Sequence, residues 1–113
     1  MDDTIKKYLY DIVQCITKID TYIGTPKIFN HYSTNTLLQD AVERNFEIIG
    51  EATNKILKLK PDIAITNSRK IVDTRNKISH GYDDIEPENI WNIIINYLPT
   101  LKTEVERLLE ENS

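Results

Sequence analysis

The sequence predicts an all-α protein, a bundle of four to five helices. Three observations carry this. Apolar residues recur at steps of three and four along most of the chain, the spacing of one helix face. No segment alternates apolar and polar residues with the two-residue period of a half-buried strand. Gly and Pro fall between the periodic stretches, at Gly24, Pro26, Pro61, Gly81 and Pro87, where helices stop or start. At 113 residues the chain, 1–113, reads as a single domain with one core.

The first helix spans Asp2–Ile23. Ile5, Leu9, Ile12, Ile16, Ile19 and Ile23 form one stripe, and Asp2 and Asp3 suit the positive end of its dipole. Gly24-Thr25-Pro26 ends it. Residues 24–33 read as a polar connection in which His31 is a solvated loop residue.

A second helix runs from about Thr34 to Leu59. Thr36 with Gln39 fits a capping box. Leu38, Ala41, Asn45, Ile48, Ala52, Ile56 and Leu59 mark its inner stripe. Gly50 sits mid-helix, where Gly costs about 1 kcal/mol against Ala, so close approach of another backbone is expected there. Glu43, Arg44, Asn45 and Glu51 lie beside the stripe. They form either an intrahelical salt-bridge face or a group from which one residue orients Arg75.

Pro61 closes that helix, and 61–67 is a turn or short helical piece. Asn67 or Ser68 caps a third helix, Ser68–Ser79, with Ile71, Val72 and Ile78 apolar. Pro87 fits the first turn of a last helix. Ile90, Ile94, Tyr97, Leu101, Val105 and Leu108 hold one stripe through Pro99, as one kinked helix or two pieces. Trp91 and Ile95 fall off that stripe, as a subunit contact or as core.

The net charge is −4, which argues against a general nucleic-acid binder. Its distribution is uneven. Residues 52–82 carry seven Lys or Arg against two Asp, a net +5, leaving −9 for the remainder. Cys15 is the only cysteine; it lies in an amphipathic pattern, as a small core residue rather than a nucleophile. Two distant histidines and one cysteine make no metal-ligand spacing, and no cofactor is called for. No signal peptide or membrane-length apolar run is present, so a cytoplasmic location is expected.

The basic window contains Arg75-Asn76-Lys77-Ile78-Ser79-His80-Gly81-Tyr82. A guanidinium binds phosphate oxygens through a planar fork. An imidazole exchanges a proton near neutral pH. Together they suit phosphodiester cleavage. Arg75 and His80 are five apart, about 140° around an ideal helix. Serving one phosphate therefore requires the chain to leave helical geometry near Ser79–Gly81, where Gly81 gives the freedom. The plainer alternative is a helix stop: cations and a following Gly are favoured at helix C-termini.

Arg75-x4-His80-x-Tyr82 resembles the Arg-x4-His-x-Tyr signature of HepT-type toxins, minimal HEPN-domain ribonucleases. The stretch Ala41-Val42-Glu43-Arg44-Asn45-Phe46-Glu47-Ile48-Ile49-Gly50-Glu51-Ala52 is similar to that family's second helix, and the likeness spans essentially the whole chain. The resemblance implies a homodimeric, up-and-down HEPN bundle whose two Arg-His sites face one composite cleft. It implies metal-independent RNA cleavage with the 2′-hydroxyl as nucleophile. His80 would be the acid/base, Arg75 the phosphate-binding and charge-stabilising group, and Asn76 a supporting polar residue. It further implies an antitoxin partner, an MntA-type minimal nucleotidyltransferase that AMPylates Tyr82, completing a type VII toxin–antitoxin pair. AMP on Tyr82 would place negative charge two residues from His80 and compete for Arg75. Two other readings stay open: a non-catalytic helical or nucleotide-binding partner of a nucleotidyltransferase, and a dimeric interaction module in which Arg75 and His80 only cap a helix.

Overall fold

The computed structural model describes residues 1–81 and 85–112. Among them the regular structure is all helical, in six elements: α1 (Asp3–Ile23), α2 (Phe29–Ser33), α3 (Thr36–Leu59), α4 (Ser68–Ser79), α5 (Pro87–Asn96) and α6 (Leu98–Glu111). None is long and apolar enough to cross a membrane.

α1 follows its pattern closely. Asp2 is the N-cap, its side chain accepting the Thr4 backbone N–H at 2.6 Å. Gly24 ends the helix at φ 78°, a left-handed φ that a side chain tolerates poorly. Ile5, Leu9, Ile12, Ile16 and Ile19 are buried, joined by Cys15. Burial also pushes the Cys15 thiol above its ordinary range, away from the thiolate a nucleophile needs.

The connection after α1 departs from expectation. It contains α2, a short helix whose Tyr32 is buried and whose Phe29 packs on Trp91, with ring centroids 5.6 Å apart. His31 is exposed but helical, so it is not a loop residue. With only five residues α2 is too short for periodicity to announce it. Its presence moves the start of α3 to Thr36, and the cap is Asn35, which accepts the Leu38 N–H at 3.0 Å. Thr36 is not the cap. Gln39 instead donates to the carbonyls of Tyr32 and Ser33, tying α2 to α3.

α3 is the central helix, packed against α1, α2 and α4. Its buried residues are Val42, Asn45, Phe46, Ile49, Gly50, Ala52, Thr53 and Ile56, whereas Leu59 is 53% exposed. The inner face is therefore turned by roughly 70° from the expected stripe, at 100° per residue. The cause is α4, which covers a second flank of the helix.

From Lys60 the chain runs through 61–67 as a turn without a helical piece, and Ile63 and Ile65 are buried there. Glu104 on α6 holds this turn by accepting the Thr66 N–H at 3.1 Å and its hydroxyl. The last helical stretch is two pieces: α5 ends at Asn96 and α6 begins at Leu98, with Pro99 in its first turn. Trp91 packs on Phe29 and, at 5.7 Å, on Tyr32, while Ile95 is 38% exposed. Core packing therefore accounts for Trp91, and Ile95 is left at the surface.

Candidate functional site

α4 carries the Arg75–His80 motif along the flank of α3. The close approach expected at Gly50 is made by Arg75 itself. A Cβ on Gly50 would overlap the Arg75 Cβ, and it would come within 2.5 Å of its Cγ and 3.5 Å of its Cα. The missing side chain is thus filled by the stem of the candidate phosphate-binding residue. Packing this tight fixes where the guanidinium starts.

At its other end, Arg75 Nη1 donates to Asn76 Oδ1 at 3.0 Å. Asn76 therefore touches the guanidinium. Arg75 Nε is buried and makes no hydrogen bond among the described residues. A buried donor without a partner costs about 1–3 kcal/mol, and the Gly50 contact holds it there.

The chain stays right-handed through the C-cap His80 (φ −87°, ψ −1°), whose N–H donates to the Asn76 carbonyl at 3.1 Å. It reverses at Gly81, φ 65°. The departure from helix therefore comes after His80. Its backbone still leaves the helix about 140° from that of Arg75. His80 is exposed at the end of α4, whereas Arg75 lies along the α3 contact. Tyr82, the expected AMPylation site, lies outside the described residues.

Of the polar residues expected beside the α3 stripe, Asn45 donates to the Ala41 carbonyl at 2.9 Å and Glu51 pairs with Lys55 at 3.4 Å. Both are committed within their own helix. The acid that reaches α4 is Glu47, whose Oε2 accepts from the Ser79 hydroxyl at 3.3 Å. Gly50–Arg75 and Glu47–Ser79 together define an antiparallel seam between α3 and α4. Glu47 is absent from the residues the sequence singles out, although its place three residues before Gly50 puts it on the same flank.

Glu43 lies one further turn along this ridge and is half-buried. Burial first, then the negative charges of Asp40 and Glu47, push its carboxyl above the ordinary range. A carboxyl with a raised native pKa holds its proton more tightly in the folded chain. Its favourable contribution is present below the unfolded value and disappears as pH rises through the native one. Glu43→Gln should therefore raise the melting temperature at pH 7 and leave it nearly unchanged at pH 4. Thermal unfolding at the two pH values checks this.

Part of the basic window is neutralised locally. Lys55 pairs with Glu51 and lies over the Tyr8 ring at 5.6 Å, and Lys60 pairs with Asp62 at 3.7 Å. Lys58, Arg69, Lys70, Arg75 and Lys77 form no ion pair among the described residues. The unneutralised cations on α4 thus surround the motif. No group of three His, Cys, Asp or Glu among the described residues is placed to hold a metal ion.

Known proteins resemble this chain over most of its length. A family model described as ribonuclease HepT-like matches residues 12–108. A protein of Thermococcus cleftensis named a probable ribonuclease HepT is 32% identical over 108 residues, 91% of this chain and 94% of its own. A provisionally named RNase of Methanocaldococcus jannaschii is 31% identical over 104 residues, 90% of this chain and 94% of its own. A further provisionally named RNase, of Caldanaerobacter subterraneus, is 28% identical over 110 residues, 96% of each chain. No solved structure gives a significant match.

Proposed function

Because the chain belongs to the HepT-like ribonuclease family, we propose that it is the ribonuclease toxin of a type VII toxin–antitoxin pair, cleaving RNA without a metal. The observation that carries this is the end of α4. Arg75 is pinned by its stem on Gly50, with its head against Asn76, and His80 is exposed at the helix terminus.

In the proposed reaction His80 takes the proton of an RNA 2′-hydroxyl. The 2′-oxygen attacks the adjacent phosphorus, and the P–O5′ bond breaks. The products are a 2′,3′-cyclic phosphate and a 5′-hydroxyl. Arg75 offsets the charge that builds on the equatorial oxygens, and stabilising such developing charge is where most of the rate gain in a step of this kind comes from. Arg75 and His80 leave one helix about 140° apart, which favours a cleft shared by two copies of the chain. There a facing His80 supplies the proton for the departing 5′-oxygen. The antitoxin would be a minimal nucleotidyltransferase that places AMP on Tyr82.

The test uses purified, unmodified protein and labelled single-stranded RNA in excess chelator. Cleavage to cyclic-phosphate ends is expected, unaffected by the chelator. Co-expression with the neighbouring nucleotidyltransferase should add whole AMP units to the intact mass, and Tyr82→Phe should abolish the shift. Tight partner binding with no cleavage and no shift would replace this reading with the non-catalytic partner.

A further inference from the structure

A second cationic feature lies on α4, apart from the Arg75 flank. A cavity of about 160 Å³ opens between α4 and α5, lined by Lys70, Thr74 and Lys77 from one helix and Asn89 and Asn92 from the other. Ile85, Ile90 and Ile93 complete its lining, the last two buried. Lys70, Thr74 and Lys77 follow the spacing of one helix face. None of the three belongs to the proposed catalytic machinery.

The lining is rich in donors and poor in acceptors. Among the described residues no carboxylate contributes to it. Glu88, the acid in the first turn of α5, faces the neighbouring groove with Trp91 and Ile95 instead. Neither lysine makes an ion pair among the described residues. The Thr74 hydroxyl is committed to the Lys70 carbonyl at 2.9 Å. Asn92 Oδ1 accepts from Asn96 at 2.6 Å, which leaves its NH2 group as a donor. Two like charges share one small cavity with amide donors on the opposite wall. An anion placed between them relieves their repulsion and meets the amides as well.

Size and position narrow the anion. A cavity of about 150 Å³ takes a guest the size of one benzene ring. This one therefore admits a phosphate with part of its sugar, and not a duplex. Around α4, Lys77 is about 60° from His80, against about 140° for Arg75. The cavity thus lies on the His80 side of the helix.

We infer that the α4–α5 cavity, through Lys70, Lys77 and Asn92, binds a phosphate of the single-stranded RNA flanking the cleaved bond. This rests on the ribonuclease reading. It divides the work of α4: Arg75 meets the reacting phosphate, and the lysine stripe holds the strand beyond His80. A free mononucleotide offers the same phosphate chemistry, so both ligands belong in the test.

The experiment measures binding of a short fluorescein-labelled single-stranded RNA to the His80→Ala protein, chosen so that cleavage is slow against the binding measurement, from 50 to 200 mM salt. Lys70→Gln and Lys77→Gln are added singly and together, with AMP as a second ligand. Each lost phosphate contact lowers the slope of log affinity against log salt by about 0.7–0.9, so affinity at 0.1 M salt falls roughly 5- to 8-fold per lysine. Lys77→Arg, which keeps the charge, should retain most of the binding. Unchanged affinity and slope in the double variant would overturn the assignment. Lysine-dependent AMP binding with RNA binding unaltered would give the cavity to a free mononucleotide, and overturn it too. These outcomes are separable from failure of the function itself, in which the wild-type protein neither binds nor cleaves RNA.

Discussion

His80→Ala should lower the single-turnover rate of RNA cleavage by about 10²- to 10⁴-fold, the usual contribution of a positioned general acid or base. The melting temperature should hardly move. His80 is exposed, and the hydrogen bond that closes α4 comes from its backbone N–H to the Asn76 carbonyl, which Ala preserves. The stability change is then that of an exposed position, about 0.5 kcal/mol. A capping residue behaves in the opposite way: its removal lowers the melting temperature and leaves cleavage intact. The paired measurement of rate and thermal unfolding therefore decides between a catalytic imidazole and a helix stop. An unchanged rate would remove His80 from the chemistry.

Arg75→Ala is the poorer first experiment, because the same residue packs α4 onto α3. Truncating it deletes the guanidinium and, at once, the methylenes beside Gly50. Its effect on rate would mix lost charge with shifted helices. His80 keeps the two effects apart, since its backbone holds the helix end and its ring is at the surface.

Much of this arrangement was legible in the residues. The isoleucine stripe of α1 and the bounds of α4 follow from three-four spacing and from the Gly and Pro positions, because such local signals fix helix ends. A glycine in the middle of α3 announced a close approach. What approaches was not legible, since no local pattern couples Gly50 to a residue 25 positions on. The misplaced face of α3 has the same origin. A central helix with neighbours on two flanks buries an arc wider than one stripe, and Phe46 and Val42 define it only once α4 is in place. α2 escaped because a five-residue helix is shorter than the window in which a 3.6-residue period can be recognised. Glu47 escaped because a charged residue on a long helix is ordinarily solvated, and only Ser79 across the seam distinguishes it.

Gly50→Ala should destabilise the protein, against the sign that helix propensity gives. In an open helix interior this change is worth about 1 kcal/mol in favour of Ala. Here the new Cβ overlaps the Cβ of Arg75 and lies 2.5 Å from its Cγ. A Cβ cannot swing aside as the end of a long side chain can, because the backbone fixes it. Relief must come from moving α4 as a whole, which also draws Ser79 from Glu47 and displaces the guanidinium. Overpacking of this kind costs up to about 3 kcal/mol or more, so a net loss near 2 kcal/mol is expected. For a domain of this size that is a melting temperature lower by roughly 8 °C. Cleavage should fall with it, since Arg75 no longer starts from the same place. The clash also dictates which second mutation rescues. Arg75→Ala keeps the offending Cβ, so Gly50→Ala should cost nearly as much in that background. Arg75→Gly removes both atoms, and there the cost should shrink or change sign as propensity reasserts itself. A double-mutant cycle measured by thermal unfolding reads this directly. Equal costs in all three backgrounds would mean that the α3–α4 approach is not made at this pair.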